Sequence, residues 1–276
     1  YHLYYGDEQG RPGTILTFFP WPGGRRGRRG AGQVGAVSFL VPEGTLDYWA
    51  ARLEGFDVTL GDRQLRLDFD EEVLPFLDPD GMQMELIAHP HAEEVAPWEG
   101  GPVAPANAIR GFHSVTLWEN DPEPTTALLT ETLGMHLSAD KGPRYRFRAD
   151  GDGPGILVDL YHLPDWERGV DGVGAVHHVA WRTPDDVTQQ AWRQEIAELD
   201  LHVTQVVERQ YFRSIYFREP GGILFEIATD PPGFTLDESP DELGTGLRLP
   251  PWLEPRRSEI EMVLPQLDLP RVLVRA

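Results

Sequence analysis

The 276 residues carry 24 Lys and Arg against 45 Asp and Glu, a formal charge of −21, which argues against a nucleic-acid binder, whose affinity rests on neutralising phosphates. There is no cysteine, so disulfides, thiolate nucleophiles and thiolate metal sites are excluded, and any metal must sit on His, Asp, Glu or water. The longest apolar runs, 35–41 and 222–228, are strand-sized and far below the ~20 residues that span a bilayer, so a water-soluble, cytoplasmic protein is expected.

The opening, Tyr1-His-Leu-Tyr-Tyr-Gly-Asp7, has no initiator Met, no basic segment and no apolar segment. It reads as neither a signal peptide nor a natural start, and the chain is expected to begin inside a domain. A turn glycine followed four residues later by an acid or Thr then recurs along the chain. The copies are Gly13-Thr-Ile-Leu-Thr17, Gly81-Met-Gln-Met-Glu85, Gly155-Ile-Leu-Val-Asp159 and Gly222-Ile-Leu-Phe-Glu226, with glycines 68, 74 and 67 residues apart. Matching strands at 36–41, 114–118 and 178–182 precede the last three. Each leads through a Pro- or Asp-rich turn into a helix, at 45–53, 123–133 and 185–199, with Trp192, Ile196 and Leu199 on one face of the last.

The class is therefore α+β: four tandem β-α-β-β-β units, the first lacking its front half. Residues 1–95 are expected to hold the first and second units, 96–108 a linker rich in Pro, Glu and Gly, and 109–235 the third and fourth. The Pro-rich tail, 236–276, cannot build its own core and is expected to wrap the body or cover a pocket mouth. Arg25-Arg-Gly-Arg-Arg29 reads as a solvated connector in so acidic a chain. The glycines at 30–35 lack the Gly-Lys-[Ser/Thr] ending of a phosphate loop, and His89 and His91 read as a loop pair flanking Pro90.

Such units, used in pairs to build cupped mixed sheets, resemble the vicinal oxygen chelate superfamily of glyoxalases, bleomycin-resistance proteins and extradiol dioxygenases. Within it the chain looks like the ring-cleaving dioxygenases of hydroquinones and chlorohydroquinones. The matching segments are 1–7, Gly30-Ala-Gly-Gln-Val34, Gly174-Ala-Val-His-His-Val-Ala-Trp181 and the long run from Arg209-Gln-Tyr-Phe-Arg-Ser-Ile-Tyr216 to Glu226-Ile-Ala-Thr-Asp230.

The resemblance implies that the opening and closing strands of each unit lie side by side on the floor of the cup. The positions offered are Thr17 in the first unit, Ala36 and Glu85 in the second, Ser114 and Asp159 in the third, and His178 and Glu226 in the fourth. The fourth offers a good pair of metal ligands, His178 and Glu226. With one more His they make the 2-His-1-carboxylate face that suits non-heme Fe(II), or Mn(II) in its place.

The resemblance implies that this third ligand lies on the first unit's opening strand, upstream of Tyr1, and that the first unit pairs with the fourth. A rival pairing of the third with the fourth would gather Ser114, Asp159, His178 and Glu226, with His113 on the opposite face of its strand. By the same alternation His177 faces away from His178, as a supporting residue or pocket wall. The resemblance also places Arg209 and Tyr216 near the substrate, where a guanidinium and a phenol stabilise an anion. The plain alternatives are a satisfied half-buried acid for Glu226, as for Glu85 and Asp159, strand packing for His178, a core tyrosine for Tyr216 and a surface residue for Arg209.

The expected function is an Fe(II)-dependent dioxygenase that opens a para-dihydroxylated ring with O2, with His177, Tyr216 and Arg209 as catalytic residues. A glyoxalase-like lyase or isomerase, or a non-catalytic binder of the bleomycin-resistance kind, stands as the alternative. A small aromatic diol and O2 are the expected partners, with no nucleic acid and no membrane, and a homodimer through the edge strands of the incomplete unit remains open.

Overall fold

The computed structural model describes residues 1–151 and 153–267, and its architecture is the mixed α and β repeat that the glycine spacing predicts. The first unit is present as an antiparallel hairpin, β1 (Leu3–Tyr5) and β2 (Leu16–Phe18), with Tyr4 opposite Thr17. The second runs β3 (Gln33–Val41), α1 (Leu46–Glu54), β4 (Gln64–Arg66), β5 (Glu71–Leu77) and β6 (Gln83–Ala88). The third is β7 (Gly111–Glu119), α2 (Glu123–Ala127), β8 (His136–Lys141), β9 (Arg144–Arg148) and β10 (Leu157–His162). The fourth is β11 (Val179–Thr183), α3 (Asp186–Glu198), β12 (Val207–Glu208), β13 (Arg213–Arg218) and β14 (Leu224–Thr229).

The recurring glycines share one role. Gly13, Gly81, Gly155 and Gly222 take φ of 86°, 90°, 78° and 105° at the turn that feeds each unit's last strand, a conformation that a side chain would strain. In each complete unit the opening and closing strands then run parallel side by side. Ser38 lies opposite Glu85, Thr116 opposite Asp159, and Ala180 opposite Glu226. A parallel pair needs a long crossover, which the helix and the two intervening strands supply.

Two apolar clusters hold the units. Leu46 and Trp49 of α1 pack with Val41, Leu74 and Leu86 in the second unit. A larger cluster joins the third to the fourth, with Leu117, Leu129 and Phe147 against Ile196, Phe217 and Phe225. Two details differ from the sequence reading. The helix expected over 123–133 is a five-residue α2, holding Pro124 and the β-branched Thr125 and Thr126, that opens into a wide π-type turn over Leu128–Thr132. Leu199, expected on one face of the helix with Trp192 and Ile196, is the residue that ends α3 and is exposed, while Ile196 is buried.

Between the units, β3 lies antiparallel to β7. The second and third units therefore merge into one eight-stranded sheet in the order β4-β5-β6-β3-β7-β10-β9-β8, while the fourth keeps its own four strands, β11-β14-β13-β12. This overturns the rival pairing of the third with the fourth in one cup. The β3–β7 register slips between Ser38 and Phe39, which leaves His113 as an unpaired bulge residue. His113 consequently turns to Glu71 of β5, Nε2 to Oε1 at 3.3 Å, and simple alternation does not describe it.

The basic connector keeps its arginines exposed, as a solvated connector should, while its backbone is paired. Backbone amides of Gly27, Arg28 and Ala31 donate to the carbonyls of Val173, Val170 and Glu167 at 3.0, 2.8 and 3.0 Å, which lays the connector against the segment that enters the fourth unit. Gly30 must be glycine there, because a Cβ would enter the backbone of Glu167 and Gly169. The tail packs on the first and fourth units. Asp237 accepts hydrogen bonds from Gln210 Nε2 (2.6 Å) and Tyr211 Oη (3.2 Å), and Tyr1 Oη donates to the Pro265 carbonyl at 3.0 Å. The last part of the predicted tail, 268–276, lies outside the described residues.

Candidate active site in the cup of the fourth unit

Glu226 sits buried on β14, and His178 immediately precedes the parallel neighbour β11. Their facing atoms, His178 Nε2 and Glu226 Oε2, are 2.7 Å apart. Alternation along β13 puts Ser214 and Tyr216 on one face, opposite Ala228 and Glu226. Both hydroxyls donate to Glu226 Oε1, Tyr216 at 3.0 Å. Burial would raise the Glu226 carboxyl, but the His178 imidazole and the two hydroxyls hold it below its ordinary value.

Arg209 lies in the turn after β12. Its Nε donates to Tyr216 Oη at 3.1 Å, and its guanidinium lies 5.3 Å over the Tyr216 ring. Burial and the Glu226 charge raise the Tyr216 phenol, so it remains a proton donor at neutral pH.

His177 does not face away from His178. Both residues lie ahead of β11, where strand alternation does not apply, and their Nδ1 atoms stand 2.9 Å apart with rings edge to face. Partial burial and the neighbouring His178 lower its pKa and keep it neutral.

The first hairpin supplies an aromatic wall that sequence reasoning missed. His2 stacks on Phe19 with centroids 4.4 Å apart, and Phe19 and Trp21 meet His177 edge-on at 6.0 and 6.4 Å. Tyr4 stands edge-on to Tyr211 and Phe234. For Ser214 the period of two was the available signal, since it puts that residue with Tyr216 on one face of β13. Phe19 and Trp21 come from a loop and carried no such signal.

Among the described residues no group of three or more His, Asp or Glu side chains is gathered closely enough to hold an ion. The donor chemistry of the fourth unit nevertheless fits two positions of a 2-His-1-carboxylate face, one imidazole and one carboxylate with facing atoms. The carboxylate is oriented from behind by Ser214 and Tyr216, as ligating carboxylates are.

The equivalent positions of the second and third units are closed by cations. Glu85 accepts from Ser38 Oγ (2.8 Å) and Arg66 (2.7 Å), and Asp159 accepts from Arg144 (2.7 Å) and twice from Arg146 (2.7 and 2.8 Å). Both acids are fully buried and satisfied, so guanidinium groups stand where a metal would be.

The profile of the glyoxalase/bleomycin resistance protein/dioxygenase superfamily matches residues 111–227. MhqO of Bacillus subtilis (strain 168), which bears the name of a ring-cleaving dioxygenase, is 45% identical over 96% of this chain and 83% of its own. A chlorohydroquinone/hydroquinone 1,2-dioxygenase of Sphingobium indicum is 36% identical over 94% of this chain and 82% of its own. A crystal structure from Bacillus subtilis subsp. subtilis str. 168, named as a dioxygenase, superposes with a TM-score of 0.88 at 45% identity, covering 96% of this chain and 84% of that one. Glyoxalase I from Zea mays shares the fold, with a TM-score of 0.56 at 16% identity over 78% of this chain and 73% of that one.

Proposed function

The chain belongs to the glyoxalase/bleomycin resistance protein/dioxygenase superfamily, and we propose that it is a cytoplasmic, Fe(II)-dependent ring-cleaving dioxygenase of para-dihydroxylated aromatics. The observation that carries this reading is the facing pair His178 Nε2 and Glu226 Oε2, with the second carboxylate oxygen pinned by two hydroxyls under an aromatic wall. A binding protein has no need of such a pair. His178 and Glu226 would hold the metal, as one imidazole and the carboxylate of a 2-His-1-carboxylate face. Fe(II), or Mn(II) in its place, would supply Lewis acidity and redox chemistry there when bound.

The remaining residues manage protons. With Nε2 of His178 as the ligating atom, its Nδ1 carries the proton and donates to Nδ1 of His177. His177 then holds its own proton on Nε2, a donor for the oxygen of a phenolate. Tyr216 keeps its proton directed at Glu226 Oε1, and Arg209 donates to the Tyr216 oxygen, which places positive charge beside the developing anion.

The test is oxygen uptake by the full-length protein, loaded anaerobically with Fe(II), on hydroquinone, chlorohydroquinone and catechol. Iron-dependent uptake with the para-diols is expected, and His178→Ala should abolish it without unfolding the chain. Full uptake in that variant would remove the central claim. Bound iron without uptake would favour a glyoxalase-like lyase or isomerase, and no bound iron a ligand-sequestering protein.

A further inference from the structure

Arg209 opens the hairpin loop between β12 and β13. Its amide donates to the Phe212 carbonyl at 3.0 Å, with Gln210 and Tyr211 as the loop between them. Gln210 has φ of 72°, the left-handed region that tight hairpin loops usually fill with glycine. Such a backbone persists where its surroundings hold it. Here the side chains of both loop residues donate to one atom of the tail, Asp237 Oδ2, Gln210 Nε2 at 2.6 Å and Tyr211 Oη at 3.2 Å. The Gly233 amide also donates to the Tyr211 carbonyl at 2.8 Å, and Phe234 stacks on the Tyr211 ring with centroids 4.6 Å apart.

The same loop reaches the candidate site. Arg209 Nε donates to Tyr216 Oη at 3.1 Å, and Tyr216 Oη donates to Glu226 Oε1 at 3.0 Å. A continuous path therefore runs from the Asp237 carboxylate, through the loop, to the carboxylate beside His178. The strand β12 does not fix Arg209, since its pairing with β13 consists of Val207 and Glu208 and stops short of that residue. The direction of the Arg209 side chain is thus left to the loop and to what holds the loop. Asp237 Oδ1 is buried without a hydrogen-bond partner among the described residues. A carboxylate with one oxygen committed twice and the other not at all is costly to bury for packing alone.

We infer that Asp237 is a positioning residue for the reaction: it clamps the Gln210–Tyr211 loop and so holds the Arg209 guanidinium on Tyr216. For its effect on turnover the assignment rests on the ring-cleaving reading above. For its effect on Arg209 it rests on the loop geometry.

Two measurements test it. In metal-free, isotope-labelled protein the Arg209 Nε–H signal is identified by its loss in Arg209→Lys, and it should exchange slowly with water because Tyr216 holds it. Asp237→Ala should speed that exchange about tenfold, and Tyr211→Phe should act less in the same direction. Asp237→Asn keeps an accepting oxygen and should restore most of the protection. In the Fe(II)-loaded protein Asp237→Ala should lower kcat for hydroquinone about tenfold, with KM within about twofold and iron content unchanged. Added to Arg209→Ala it should cost nothing further, because the residue it positions is already gone.

Unchanged Arg209 exchange in Asp237→Ala, or a loss of kcat that adds in full to that of Arg209→Ala, overturns the inference and leaves the dioxygenase reading intact. A loss that Asp237→Asn does not relieve also overturns it, by giving the carboxylate charge a role of its own. Should Asp237→Ala unfold the fourth unit, Tyr211→Phe decides, and unchanged exchange there overturns the inference. Wild-type protein that holds iron but consumes no oxygen with hydroquinone overturns the ring-cleaving reading, and the exchange measurement still decides whether Asp237 places Arg209.

Discussion

Glu226 divides its oxygens, Oε2 toward His178 and Oε1 to Ser214 and Tyr216, so its geometry depends on groups that never need to touch a metal. Tyr216→Phe removes one of those two donors and leaves Ser214. Metal affinity should fall about 10–100-fold, the loss usual when a hydrogen bond behind a ligand is removed, as measured by competition with a chelator. Unchanged affinity would confine Tyr216 to the substrate side. At this scale the sequence made His178 and Glu226 legible because each stands at a fixed offset from a strand or turn signal. His177 was misread because the strand starts one residue after the His-His pair, and strand boundaries are not visible in a local pattern. Ser214 escaped notice although it lies two residues before Tyr216, because a serine in a strand has no distinctive chemistry until its partner is known.

Four turn glycines with positive φ made the units readable as elements, since a backbone requirement repeats even where side chains diverge. The merger of the second and third units was not readable, because β3 and β7 pair across a long stretch of chain and nothing local to either strand specifies it. That merged sheet buries the cluster that replaces a metal site. Glu71, at the head of β5, is held by Arg146, Arg66 and His113. Burial alone would raise its carboxyl, but His113 and Arg146 pull it down to about 2. A depressed carboxylate contributes stability that is fully present above its ordinary value of 4.5 and is lost as pH falls toward 2. Glu71→Gln should therefore cost about 3 kcal/mol at pH 7, with a much smaller difference near pH 2. Urea unfolding at the two pH values measures this, and a cost independent of pH would assign the effect to packing. Oxygen uptake at neutral pH should survive, since the cluster lies in the other cup.

The third and fourth units meet at a pair of acids, of which Glu119 behaves in the opposite way. Glu119 ends β7 and Glu219 follows β13, and both are buried. Glu219 is well supplied, accepting from Thr125 Oγ1 (2.5 Å) and from the amides of Gly221 (2.8 Å) and Ile223 (2.7 Å). The Glu119 carboxyl packs against Gly221 so closely that no Cβ fits there, and its Oε1 has no hydrogen-bond partner among the described residues. Burial and the Glu219 charge push Glu119 up to about 8. The folded chain thus keeps a proton that the unfolded chain releases near its ordinary 4.5, so between pH 4.5 and 8 folding stability falls as pH rises. Glu119→Gln keeps the neutral shape and removes the titration. Its melting temperature should change less between pH 5.5 and pH 8 than that of the wild type, with the variant gaining on the parent at the alkaline end. Parallel shifts in the two proteins would mean that Glu119 is already ionised in the fold. Because the pair joins the sheet of the second and third units to the unit that carries His178 and Glu226, loss of the Glu119 proton should loosen the catalytic unit first. Hydrogen exchange of β13 and β14 at pH 8 should then exceed that of β3 and β6, and in Glu119→Gln the excess should disappear.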